Sequence, residues 1–97
     1  MAAVTEFNYN NLIEFENKKI SAYHQFVNWV SGEFDLFLKD DSDGLKVYFP
    51  NGLVWIRSEI ESQKSTILVE IKSNSSKKGE KLTNELTNLF IRMENLY

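Results

Sequence analysis

Catalysis needs side chains that exchange protons, attack carbonyls or hold metals, and this chain of 97 residues offers few of them. It has no cysteine and one histidine, His24, which excludes thiol catalysis, disulfides, thiolate zinc sites and any cluster of two imidazoles. Acting alone, His24 could be a pH-sensitive contact, or a general base, most readily with a nucleophile to orient. None is identifiable around Tyr23-His24-Gln25, so His24 reads as a surface residue. Asp40, Asp41 and Asp43 followed by Gly44 invite comparison with a calcium loop, but the frame fails. It would put Lys39 at the first ligand position and Pro50 at the twelfth, where a bidentate glutamate belongs. Lys77, Lys78 and Lys81 gather where the last helix should begin. Positive charge there opposes the helix macrodipole and is suited to a phosphate or a partner carboxylate. The surrounding Ser75 to Glu80 nevertheless lacks the paired glycines of a phosphate-binding loop. The pairs Glu14 with Glu16 and Glu59 with Glu61 have no neighbour that would raise a carboxyl pKa. The expectation is a protein that is not an enzyme, with no catalytic residue, no cofactor and no metal.

Surface chemistry remains. Between Glu33 and Asp43 stand Glu33, Asp35, Asp40, Asp41 and Asp43 against the single base Lys39. Such a patch suits an Arg- or Lys-rich partner, including a nucleic-acid-binding groove on another protein; it would equally guard an edge strand against self-pairing. A second group, Phe37, Tyr48, Trp55 and Arg57, falls on the expected outward face of a sheet, accompanied by Leu68 and Lys72. Trp, Tyr and Arg dominate protein-binding hot spots, and aromatic faces with a few bases also serve as platforms for single-stranded nucleic acid. The alternative is that this face is covered.

Those residues must be positioned by regular elements. From Thr5 to Val30 there is neither Gly nor Pro, and Ile13, Ile20, Tyr23, Val27 and Val30 recur at helical offsets, widened by Phe26 and Trp29. The spacing predicts a helix from about Asn10 to Val30, with a break near Asn17, stopped by Ser31-Gly32; residues 4–17 also fit an extended segment through Val4, Phe7, Tyr9 and Phe15. Glu33 to Asp40 then alternates, predicting a strand with Phe34, Leu36 and Leu38 inward and Phe37 outward. A turn at Asp41 to Gly44, a strand Leu45 to Phe49, a turn at Pro50-Asn51-Gly52 and a strand Leu53 to Glu59 follow. Ile60 to Lys64 turns again, and Ser65 to Ser73 is a fourth strand with Ile67, Val69 and Ile71 inward. After a loop from Asn74 to Gly79, the residues Leu82, Leu86, Leu89, Phe90, Met93 and Tyr97 describe an amphipathic helix.

The expected architecture is one α+β domain over residues 1–97: an N-terminal helix, a four-stranded antiparallel meander and a C-terminal helix, with both helices on one face of the sheet. Seven Phe, four Tyr and two Trp give it a workable core without disulfides. No run of about 20 apolar residues occurs, and the first residues lack a basic flank and apolar stretch, so a soluble cytoplasmic protein without a membrane partner is expected. A formal net charge of −3 offers no general attraction for nucleic acid.

These features fit a non-enzymatic protein-binding module, a small acidic inhibitor or regulator that occludes a surface of its partner. The profile is that of phage or mobile-element anti-defence proteins and of immunity proteins. Two alternatives stay open: a nucleic-acid-binding or regulatory domain using the aromatic face with Lys46, Arg57, Lys72 and the Lys77 to Lys81 cluster, and a small-ligand carrier or enzyme with a pocket between sheet and helices. A homodimer through the edge strand or the ring face is a further expectation.

Overall fold

The computed structural model describes residues 8–17, 21–61 and 64–96. Seven elements follow one another: β1 (Tyr9–Asn17), α1 (Ala22–Glu33), β2 (Leu38–Asp40), β3 (Leu45–Phe49), β4 (Gly52–Glu61), β5 (Lys64–Ser73) and α2 (Ser76–Leu96). The strands form one antiparallel sheet in the order β1-β5-β4-β3-β2. The class is α+β as the spacing predicts, but the sheet has five strands rather than four.

The added strand lies where a helix was expected. Over Tyr9–Asn17 the pattern has period two, with Tyr9, Asn11, Ile13 and Phe15 half-buried and Asn10, Leu12, Glu14 and Glu16 exposed. Three asparagines and no alanine make these residues poor helix formers, and the whole segment pairs with β5, from Tyr9 opposite Ser73 to Asn17 opposite Ser65. Only the second half of the expected helix is helical. It buries Ala22, Phe26 and Val30, and it runs past Ser31-Gly32 to Glu33, where the Phe34 N–H closes it on the Val30 carbonyl at 3.0 Å. Ile20 and Tyr97 lie outside the described residues.

That longer helix shortens the next strand. Residues 34–36 turn, and β2 is only Leu38–Asp40, so the expected strand Glu33 to Asp40 is corrected and its phase is lost. Phe34 is buried, but Leu36 is 95% exposed, and Leu38, opposite Tyr48, is 73% exposed on the outward face. β4 and β5 extend further into their hairpin than the sequence suggests, to Glu61 and from Lys64, and α2 starts at Ser76. Ser75 caps α2: its Oγ accepts the Lys78 N–H at 3.3 Å and its carbonyl accepts the Gly79 N–H at 2.9 Å.

β1 and β2 occupy opposite edges and run parallel, so α1 must carry the chain across the whole sheet. Twelve helical residues reach about 18 Å, and four interstrand steps span about 19 Å. α1 and α2 pack into a single core with Leu45, Val47, Val54, Ile56, Ile67, Val69 and Ile71. Three rings tie β1 and both helices together. Phe15 stacks on Phe90 at 4.2 Å between centroids, and Phe26 meets Phe90 edge-on at 5.5 Å. Tyr9 is a second tie. Its ring occupies the space where a side chain on Gly79 would sit, and its hydroxyl lies 2.8 Å from Thr83 Oγ1. Thr83 donates to the Gly79 carbonyl at 2.9 Å, so the Tyr9 hydroxyl is the donor to Thr83 and itself accepts from Asn11 Nδ2 at 3.3 Å.

Candidate functional site

With the inward sheet face filled, the alternate residues of β2 to β5 and β1 point the other way, and no described element packs on them. Register sorts them into rows. Leu38, Tyr48, Leu53, Lys72 and Asn10 lie side by side; the next row is Asp40, Lys46, Trp55, Glu70 and Leu12; then come Arg57, Leu68 and Glu14. Tyr48 is 38% and Leu12 51% exposed. The outward alternation expected for Tyr48, Trp55 and Arg57 matches these rows. Phe37 does not join them, because the turn before β2 directs it onto Phe34 and Phe49 instead, with centroids at 6.3 and 4.6 Å.

Trp55 is the centre of the face. The Arg57 guanidinium lies 3.9 Å from its ring centroid and the Lys46 ammonium 4.7 Å, both in cation–π range. Arg57 Nη2 bonds Glu70 Oε1 at 2.9 Å, and Lys72 Nζ reaches Glu70 Oε2 at 3.3 Å, so one carboxylate holds two cations in place. The indole Nε1 donates to the Asp43 carbonyl at 2.7 Å.

That last bond joins the aromatic face to the acidic turn. Gly44 has φ +70°, and a side chain there would run into the Ile56 carbonyl, so the turn lies close against β4. Asp40 Oδ1 accepts the Ser42 N–H at 3.0 Å, and this bond, reinforced by the Ser42 hydroxyl, holds the Asp40 carboxyl below its ordinary pKa. Burial, with the Asp43 charge adding to it, pushes the Tyr23 hydroxyl up. Asp41 and Asp43 stay exposed at the tip, and Glu14, Glu16 and Glu59 are exposed on the same end of the outward face. Glu33 and Asp35 sit apart from this group, at the exit of α1. Sequence reasoning missed Glu14, Glu16 and Leu38; the alternation of Tyr9, Ile13 and Phe15 was the available signal for the first two.

A second concavity opens at the other end of the sheet, where the Pro50-Asn51 turn meets the exit of α1 and the first turns of α2. It has a volume of about 450 Å³, is floored by Phe34, Phe37 and Phe49, and is flanked by Leu82, Lys78 and Lys81. His24 is exposed on α1, its ring edge-on to Tyr23 at 5.4 Å. Among the described residues no group of three His, Asp or Glu converges as a metal site, and no helix is long and apolar enough to cross a membrane. No protein-family model matches the chain, and no curated protein matches it in sequence.

Proposed function

We propose that the protein is a non-enzymatic binding module that docks the outward face of its sheet, with the acidic β2–β3 turn at the rim, onto a partner protein bearing Arg or Lys opposite that turn. The observation that carries this reading is the Trp55 bond to the Asp43 carbonyl, which ties the backbone of the acidic turn to the aromatic face. Preorganised Trp55 and Arg57 lose little freedom on binding, and the carboxylates at one end would steer and orient a basic partner. A small protein of this kind acts by occluding the surface it covers, as an inhibitor or regulator does.

The nucleic-acid alternative is weaker for a specific reason. The Trp55 ring is already engaged by Lys46 and Arg57, and Arg57 and Lys72 are already paired with Glu70. Two of the cations that a phosphate backbone would need are therefore already engaged by Glu70.

Affinity capture with three baits tests the proposal: the wild type, Tyr48→Ala with Trp55→Ala, and Glu14→Gln with Asp43→Asn and Glu59→Gln. One protein should be enriched by the wild type, lost from the aromatic variant, and held by the charge variant more weakly and with less dependence on salt. Equal enrichment by all three baits refutes the assignment of this face.

A further inference from the structure

The concavity at the β3–β4 end lies off the outward face and is independent of the reading above. Its floor is a cluster of rings: Phe34 meets Phe49 edge-on at 5.3 Å, and Phe37 leans on Phe49 at 4.6 Å. Phe37 remains 38% exposed, so the cluster presents apolar surface to whatever enters. At one wall stand Lys78 and Lys81, and neither ammonium is ion-paired among the described residues. They rise from the first turns of α2, whose amide dipoles add positive potential at the same place. One carboxylate, Glu85, lines the site a turn further along. Two cations and one anion around a ring-lined space of about 450 Å³ fit the size and character of a small-molecule pocket.

We infer that this cleft binds a small amphipathic monoanion, with an aryl or alkyl body on the phenylalanines and a single carboxylate between Lys78 and Lys81. A dianion would meet Glu85; a cation would meet the two lysines.

The test uses three ligands of one shape on the whole chain: 2-naphthoate, 2-naphthylmethanol and 2-naphthylmethylammonium, followed through the backbone amide resonances. Naphthoate should shift the amides of Gly52, Ser73, Lys78 and Leu82 saturably. The neutral alcohol should shift the same amides with about fivefold weaker affinity, as expected for loss of two solvent-screened ion contacts, and the ammonium should not bind. Lys78→Gln with Lys81→Gln, both exposed positions, should bring naphthoate to the level of the alcohol. Equal affinities for the three ligands, shifts confined to other amides, or no saturable shift up to the solubility of naphthoate would each overturn the inference.

Discussion

Gly79→Ala reports directly on the placement of β1 against α2. Gly79 is the fourth residue of α2, and in an isolated helix alanine there would be favoured by about 0.5–1 kcal/mol. In this fold the added methyl meets the body of the Tyr9 ring, at Cγ, Cδ1 and Cε1, rather than a flexible tip. The ring cannot swing away freely, because its hydroxyl is held at 2.8 Å by Thr83 and at 3.3 Å by Asn11. Overpacking costs about 1–3 kcal/mol, and losing the Tyr9–Thr83 hydrogen bond adds about 1 kcal/mol. The net is a destabilisation of about 1–3.5 kcal/mol, read by urea unfolding or as a Tm lowered by roughly 4–8 °C per kcal/mol for a domain of this size. The sign should reverse in a Tyr9→Ala background, where the methyl enters vacated space and the helical preference of about 0.5–1 kcal/mol is recovered. A stabilising Gly79→Ala in the otherwise unchanged chain would refute the docking of β1 on α2.

Phe90→Ala should be among the most destabilising single changes, by about 3–5 kcal/mol in chemical unfolding, because the ring is 4% exposed and touches both Phe15 and Phe26; a loss under about 1 kcal/mol would contradict the three-ring tie. The Asp40 carboxyl should titrate below the ordinary aspartate value of 3.8, followed through its carboxyl carbon resonance. Its folded pKa is depressed, so the stability it contributes is present above the unfolded pKa and is lost as pH falls through the folded one. Ser42→Ala leaves the amide donor and should raise the midpoint only part of the way; a midpoint at 3.8 in the unchanged chain refutes the turn geometry.

The interior strands were legible because each buries an apolar row on one face: Leu45 and Val47 in β3, Val54 and Ile56 in β4, and Ile67, Val69 and Ile71 in β5. In β3, β4 and β5 every inward position from Leu45 to Ile71 carries an apolar or small residue, and the period of two survives intact. The face of Tyr48, Trp55 and Arg57 followed from that. The two edges were legible only in part: an extended segment over residues 4–17 stood as the alternative to the helix and matches β1 from Tyr9 onward, whereas β2 was misplaced. β1 admits Asn11 inward and Leu12 outward, which blurs its alternation, and the absence of Gly or Pro up to Val30 hides the change from strand to helix. β2 is three residues long, too short to display a period, and the preceding turn shifts the phase by one so that Leu38 takes the face expected for Phe37. An edge strand is held by register with one neighbour and by packing from distant helices, neither of which a local pattern records.

The charge distribution of this fold is not explained by the stability of its helices. α2 has no acidic residue in its first turn and no basic residue in its last, and it begins among Lys77, Lys78 and Lys81. α1 likewise lacks both complements and ends on Glu33, an anion at the negative pole of its dipole. Each such placement forgoes a few tenths of a kcal/mol up to about 1 kcal/mol. The register shows where the charges lie instead. On the outward face and its turns, Glu14, Glu16, Glu59, Asp41 and Asp43 stand at the end away from the Pro50-Asn51 turn, while Lys78 and Lys81 stand beside it. The dipole of α2, which runs from that turn toward Phe15, points its positive pole at the lysines and so reinforces the separation. The separation is partial, because Glu33 at the exit of α1 and Glu85 in the cleft wall stand at the lysine end; under the two proposals above it would orient a basic partner toward the acidic turn and an anion toward the phenylalanine cleft.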